Sequence, residues 1–194
     1  MAISWDEIKS SLSTSPNRVE IFEQPGSGSG NTYLEAVAQN VDLIKVNGYL
    51  RLLGSGQTDF ESILRFNDKF REYLGEGRYA VAYDVFGGIF AITKTGFSYF
   101  APDSLSWEAM EISYEGFISW VATSDINGFY QTFLWEGSDE LISKAGVDEG
   151  ISVYPYLWAR ECDIETASKR IIPLEEVLSL NYQFYTEFGG AEDE

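Results

Sequence analysis

The dipeptide Asn47-Gly48 lies between two mostly apolar runs, DLIKV and YLRLL, and is the strongest hairpin signal in the sequence. A two-residue turn would pair Val46 with Tyr49 across the two strands. The opposite face of this hairpin would then carry three leucines, Leu43, Leu50 and Leu52. Because both faces are largely apolar, other elements must cover the hairpin on both sides. The feature therefore predicts a sheet that is buried between other layers of the protein.

A second apolar stretch, AYDVFGGIFAI over residues 82–92, carries a single carboxylate, Asp84, beside a double glycine. Aromatic and β-branched residues predict a strand over 79–85, and Gly87 and Gly88 predict the turn that follows it. We interpret Asp84 as a turn residue whose carboxylate accepts backbone N–H groups. A binding role for this acid and the two glycines is the alternative.

Residues 89–94 and 97–101 predict a second hairpin, which turns at Thr95-Gly96. One of its faces carries Phe90, Ile92, Tyr99 and Ala101. We expect this hairpin to share one sheet with the first, and a helix over 173–188 to pack on that sheet, because the apolar faces of these elements need one another.

Helices are predicted where a capping residue precedes apolar residues at helical spacing. A capping box over residues 4–7 begins the first helix, in which Trp5, Ile8 and Leu12 share a face. Further helices are predicted to begin near Thr58, Ser113, Asp125, Ser138 and Pro173. With one more strand over 150–158, the pattern is that of an α+β protein.

The chain has no internal linker that would divide it. We expect a single α+β domain over 31–190. A helix and a flexible loop over 1–30 would precede it, and an acidic tail over 191–194 would follow it.

The sequence contains no histidine and one cysteine, Cys162. The commonest general base, the commonest metal ligand and every Ser-His or Cys-His nucleophile are therefore missing. A structural zinc site has no ligand set, and no EF-hand loop is present. We expect no catalytic residues, no metal and no cofactor.

Acidic residues outnumber basic ones by 31 to 13, which gives a net charge of −18. Such a surface repels polyanions, so nucleic acid is not expected as a partner. Residues 79–159 hold eleven acidic side chains and only Lys94 and Lys144 as bases. This region is predicted either to be simply solvated or to attract a basic protein. The residues predicted to bind that partner are Asp103, Trp107, Glu108, Glu111, Trp135, Glu136, Asp139 and Glu140.

No run of 18 apolar residues occurs, and the N-terminus MAISWDEIKSS lacks the features of a secretory signal. The single cysteine fits a reducing compartment. The sequence thus predicts a cytoplasmic protein without membrane contact, and its oligomeric state stays open.

Five ordered blocks of the sequence resemble a bacterial family known as domain of unknown function 2625. The blocks are GYLRLLGSG at 48–56, DVFGGIFA at 84–91, YFAPDSLSW at 99–107, FYQTFLW at 129–135 and YPYLW at 154–158. Their order and spacing agree from about residue 31 to residue 188. The family carries no assigned activity, so the resemblance names no reaction.

That family is in turn similar to the SUKH superfamily, which contains bacterial immunity proteins and eukaryotic interaction scaffolds. This resemblance implies a mixed, mostly antiparallel sheet flanked by helices, and a function that consists of binding a protein. We therefore expect a non-enzymatic protein, such as an immunity protein that neutralises a basic toxin. The alternative is a carbohydrate-binding or glycoside-processing protein, in which tryptophans stack on sugar and Asp103, Glu108, Glu111 or Glu136 supply paired carboxylates.

Overall fold

A computed structural model of the protein contains the sheet that the two hairpins predict. It describes residues 2–26, 28–57 and 60–189. The strands of these residues are β1 (Ile3–Ser4), β2 (Val19–Glu23), β3 (Ser29–Gly30), β4 (Val41–Val46), β5 (Leu50–Leu53), β6 (Tyr79–Asp84), β7 (Ile89–Thr93), β8 (Gly96–Ala101), β9 (Ser106–Met110), β10 (Glu149–Tyr154) and β11 (Ser168–Pro173).

The helices are α1 (Trp5–Ser13), α2 (Tyr33–Ala38), α3 (Ile63–Lys69), α4 (Arg71–Leu74), α5 (Tyr114–Thr123), α6 (Ser138–Ile142) and α7 (Leu174–Phe184). A 3-10 turn covers Ile126–Gly128, and a π-helical turn, Tyr185–Gly189, continues α7.

Seven strands form one sheet in the order β2-β4-β5-β6-β7-β8-β9, and every neighbouring pair is antiparallel. The α+β class is therefore confirmed, and so is the prediction that the two hairpins share a sheet. The sheet is purely antiparallel rather than mixed. Two small antiparallel pairs, β1-β3 and β10-β11, lie outside it.

The first hairpin turns through three residues rather than two, so the predicted register was wrong by one position. Val46 pairs with Leu50, and Asn47 and Gly48 both adopt positive φ angles, 50° and 78°. Tyr49 stays in the connection because its hydroxyl donates to Asn127 Oδ1 at 2.8 Å. A one-residue slip exchanges the faces of one strand, so Leu43 does not share a face with Leu50 and Leu52.

The second hairpin turns at Lys94-Thr95, one residue earlier than predicted, because Thr93 pairs with Gly96. Phe90 lies opposite Tyr99, so the predicted apolar face is confirmed. This face packs on α5, where Phe117 lies 5.0 Å from Phe90 between ring centroids.

Both faces of the sheet are covered, as the first hairpin predicted. Helices α1, α2 and α5 pack together on one face, and Trp5, Ile8 and Leu12 of α1 are buried in the same core. On the other face α3 places Phe66 5.2 Å from Tyr83, with the two rings nearly parallel. The helix α7 packs mainly on β10, and its continuation reaches the sheet where Tyr185 contacts Phe100 at 5.8 Å.

Two helix starts agree well with the sequence. Ser113 caps α5 by accepting the Gly116 N–H at 3.1 Å, and one apolar face of α5 is buried. Ser4 occupies the position before α1, although its side chain makes no capping hydrogen bond. Asp125 caps only a short 3-10 turn, which ends at Gly128.

Other boundaries differ from the sequence analysis. Thr58 and the tail over 191–194 lie outside the described residues, and α3 is capped by Ser62, which accepts the Arg65 N–H at 3.2 Å. Pro173 is the last residue of β11 and precedes α7. β9 and β11 were not predicted as strands.

Candidate functional site

Asp84, the last residue of β6, is completely buried. Its Oδ1 accepts the backbone N–H groups of Phe86 and Gly88, each at 2.9 Å. Its Oδ2 accepts the hydroxyl groups of Tyr99 at 3.0 Å and Tyr130 at 3.1 Å. One carboxylate therefore ties the turn after β6 to β8 and to the segment that follows the 3-10 turn.

The turn itself leaves little room. A side chain at Gly88 would meet the Asp84 carboxylate and the Tyr99 hydroxyl. Gly87 adopts a φ of 90°, and a side chain there would meet that of Asn181. Burial raises the pKa of Asp84 above its ordinary value, and the four hydrogen bonds oppose this shift. A carboxylate enclosed in this way positions protein segments.

Arg51 is a second buried charge, and sequence reasoning treated it only as a strand residue. Its guanidinium donates to the carbonyl groups of Ala145 at 3.3 Å, Val147 at 3.1 Å and Glu149 at 2.8 Å. The Tyr83 hydroxyl also donates to Val147 O, at 2.7 Å. Arg51 thus fixes the connection between α6 and β10. An isolated arginine in a strand gives no sequence signal for this role, since its acceptors lie about a hundred residues away.

The eight predicted partner-binding residues fall into two groups on different elements. We name Asp103, Trp107, Glu108 and Glu111, in or beside β9, the β9-edge patch. We name Trp135, Glu136, Asp139 and Glu140, in or before α6, the α6 patch. Across the ranges described, no hydrogen bond, ion pair or ring contact joins the two. All six carboxylates are exposed.

The β9-edge patch follows the outermost strand of the sheet. Trp107 contacts Phe100 edge to face at 5.4 Å between centroids, and the Arg78 guanidinium carbon lies 4.5 Å from the Trp107 ring centroid. Glu108 accepts a hydrogen bond from the Ser104 hydroxyl at 3.2 Å. The tryptophan is half-buried, and the acids around it face solvent.

The α6 patch has the same composition on a different scaffold. The Lys169 ammonium lies 4.8 Å from the Trp135 ring centroid. Glu140 pairs with Lys144 at 2.9 Å, and this hydrogen bond lowers the pKa of Glu140. In both patches, therefore, a cation of the protein itself covers one face of the tryptophan. One face of each tryptophan ring is therefore already occupied.

Two cavities open on the second face of the sheet. One, of about 570 Å³, runs beside β9 and is lined by Arg78, Lys94, Ser98, Trp107 and Glu111, among others. The other, of about 610 Å³, lies between α3 and the start of α7, and its lining includes Lys69 and Glu175, which form an ion pair at 2.8 Å.

Exposed carboxylates beside a half-buried tryptophan make up both patches. Over the described ranges, no three acidic, cysteine or histidine side chains lie close enough to hold a metal ion. The carbohydrate alternative draws on Glu136 together with acids beside β9, but the structure places Glu136 in the α6 patch. This alternative stays a prediction.

None of the helices formed by the described residues is long and apolar enough to cross a membrane.

Comparison with known proteins gives one family and two relatives. The sequence matches the family "Protein of unknown function DUF2625" over residues 2–177. It is 32% identical over 149 residues to "Putative uncharacterized protein YbfG" of Escherichia coli K12, which covers 73% of this chain and 68% of the relative. It is 26% identical over 153 residues to an "Uncharacterized protein" of Haemophilus influenzae, which covers 73% and 67%.

No solved structure matches the chain significantly. The family match extends from α1 into α7, so it includes both buried charges and both acidic patches. The chain belongs to the DUF2625 family.

Proposed function

We propose that this protein is a non-enzymatic binding domain that recognises a basic protein through the acidic side chains of residues 103–140. A cytoplasmic immunity protein that neutralises a basic toxin, such as a nuclease, is the specific role we propose. The sequence resemblance to the SUKH superfamily and the single cysteine support that role.

The proposal rests on the exposure of the acidic side chains between Lys94 and Lys144 and on how few of them form ion pairs. This stretch contains no Lys or Arg, and all eight of its acidic side chains are exposed. They are Asp103, Glu108, Glu111, Glu115, Asp125, Glu136, Asp139 and Glu140. Of these, only Glu140 forms an ion pair within the described residues.

Unpaired exposed carboxylates contribute little to folding, but they produce a field that extends about 8 Å at physiological salt. Such a field raises the association rate of a partner with the opposite charge, and it disfavours partners with the same charge. A toxin nuclease must bind a polyanion, so it presents the basic surface that this field would attract.

Charge-reversal variants test the proposal. Each carries three Lys substitutions and therefore raises the net charge by the same six units. The α6 variant is Glu136→Lys, Asp139→Lys, Glu140→Lys; the β9 variant is Asp103→Lys, Glu108→Lys, Glu111→Lys; the control is Glu72→Lys, Glu161→Lys, Glu187→Lys.

Immobilised wild-type protein would be used to recover partners from a lysate of the cells that produce it, including the products of adjacent genes. We expect a basic protein to be recovered by wild type and by the control, and to be lost with the α6 variant, the β9 variant or both. Equal recovery by all four proteins would show that these acids are only solvated.

A further inference from the structure

We propose that the outer edge of β9 is a docking edge, on which an extended basic segment of the partner pairs as an additional strand of the sheet. This inference rests on the proposed function and specifies how the partner is held. Main-chain hydrogen bonds would supply affinity, and alternate side chains would supply specificity.

The backbone of β9 has a free side. β9 ends the seven-stranded sheet, and within the described residues its main chain bonds only to β8. Ala109, in the middle of the strand, is exposed. Strand edges usually carry charged side chains, a Pro or a bulge that prevents pairing with other chains. Ser106–Met110 has no Lys, no Pro and no bulge, and its one charge, Glu108, opposes an acidic strand but favours a basic one.

The opposite edge of the same sheet is protected in the usual way. The pairing of β2 with β4 shifts register between Phe22 and Glu23, as at a bulge. Glu23 is held there by the Trp5 indole at 3.1 Å and by the Lys9 ammonium at 2.7 Å, both from α1. The two edges of this sheet therefore differ: among the described residues, the β2 edge has a bulge and a contact from α1, and the β9 edge has neither.

Charge indicates what kind of segment fits. Glu108 is the exposed acid of β9, and Asp103 and Glu111 lie just before and just after the strand. A segment with Lys or Arg at alternate positions would place those cations beside Glu108, where opposite charges on adjacent strands are favourable. No Lys or Arg occurs in the protein from 95 to 143, so nothing on this stretch repels it.

The other face of β9 indicates the remaining positions. Trp107 and Ala109 point to the cavity of about 570 Å³, and Ser98 lies opposite Ala109 on β8. The Ser98 hydroxyl is buried and has no hydrogen-bond partner among the described residues. The side chains that alternate with the cations would lie beside Trp107 and Ala109 on this face, next to the cavity. The cavity also holds Arg78 and Lys94, so these alternate side chains should be uncharged.

The proposal is tested with a nine-residue peptide in which Lys alternates with Thr. The peptide is labelled for fluorescence anisotropy and titrated with full-length protein at low salt. Two analogues carry N-methyl groups, one on the Lys amides and the other on the Thr amides. In an extended strand, alternate amides point to opposite edges, so only one of the two analogues blocks the edge that meets β9.

We expect one N-methylated analogue to lose at least about tenfold in affinity, while the other stays within about threefold of the parent peptide. Binding should slow hydrogen exchange at outward amides of β9. Glu108→Lys should weaken binding by about tenfold, and the matched edge variant Glu20→Lys on β2 should stay within about twofold. Circular dichroism and urea unfolding would verify that both variants fold.

The outcomes separate the two proposals. If both analogues bind as well as the parent while Glu108→Lys weakens all three, charge attraction stands and strand pairing is wrong. If the parent peptide fails to bind, or binds equally to wild type, to Glu108→Lys and to the α6 variant, strand pairing and recognition by these acids are both wrong.

Discussion

Truncating Asp84 to Ala should destabilise the protein strongly, because four hydrogen-bond donors lose their acceptor at once. Two are backbone N–H groups, of Phe86 and Gly88, and two are the hydroxyls of Tyr99 and Tyr130. At about 1 kcal/mol per buried unsatisfied group, the low end of the usual range, the loss is about 4 kcal/mol. Relief from burying the carboxylate offsets part of it, which leaves a net loss of about 3 kcal/mol.

Asp84→Asn is the matched comparison. The amide keeps an oxygen for the two backbone N–H groups and disturbs only the tyrosine hydroxyls, so the expected loss is about 1 to 2 kcal/mol. The exposed Asp103→Ala should change the free energy of unfolding by less than about 0.5 kcal/mol. Urea unfolding at constant m value measures all three. For a domain of this size, 3 kcal/mol corresponds to a fall in Tm of about 6 to 12 °C.

The pKa of Asp84 adds a pH signature. Because burial raises this pKa above its unfolded value, the folded protein binds the proton more tightly. The stability from this group is full below about pH 4, the ordinary aspartate value, and declines as pH rises through the raised pKa. Wild type should therefore gain stability relative to Asp84→Asn as pH falls from 7 towards 4. An Asp84→Ala variant within about 1 kcal/mol of wild type, or a difference from Asp84→Asn that does not change with pH, would refute this account.

Three further predictions concern single positions. Arg51→Lys should lower the free energy of unfolding in urea by about 2 to 4 kcal/mol, because an ammonium cannot reach three carbonyl groups as the guanidinium does. The rate of amide hydrogen exchange should rise over 145–149, and an unchanged rate there would contradict the role of Arg51. In thermal unfolding, Gly88→Ala should destabilise the protein by at least about 2 kcal/mol, because the added methyl group meets Asp84 and Tyr99. Gly128→Ala should be nearly neutral in the same assay, because no atom lies within contact distance of its methyl group. Arg78→Gln should lose about 1 to 2.5 kcal/mol in urea unfolding, because it removes both the cation–π contact with Trp107 and the hydrogen bond to Leu74 O at 3.3 Å; an unchanged free energy of unfolding would contradict this role.

Local patterns predicted the elements whose partners are close in sequence. The apolar stripe of α5 and its cap at Ser113 follow from a few neighbouring residues, and so does the strand that ends at Asp84. The turn at Asn47-Gly48 was located but its register was not, because a contact between Tyr49 and Asn127 decides it. Local rules contain no information on such a contact.

The same limit applies to the functional surfaces. The structure places the eight acids between Lys94 and Lys144 at the surface, as their density indicates, whereas Asp84 of the same acidic region is buried. Their division into a β9-edge patch and an α6 patch could not be predicted, because β9 was not recognised as a strand. Apolar and polar residues alternate only weakly over Ser106–Met110, because this strand lies at the edge of the sheet and none of its residues is fully buried. The tyrosines that bind Asp84 were also missed, since they come from β8 and from a segment 46 residues away.

The most direct test of the central claim, that these acids recruit a basic protein, is the salt dependence of the association rate. The recovered partner would be mixed with wild type, the α6 variant and the β9 variant in a stopped-flow instrument between about 50 and 500 mM salt, over which screening shortens the range of the field several-fold. We predict that the wild-type rate falls by at least about tenfold across this range, and that at least one variant associates slowly with a flatter salt dependence. A wild-type rate that does not change with salt, and that both variants share, would contradict the claim.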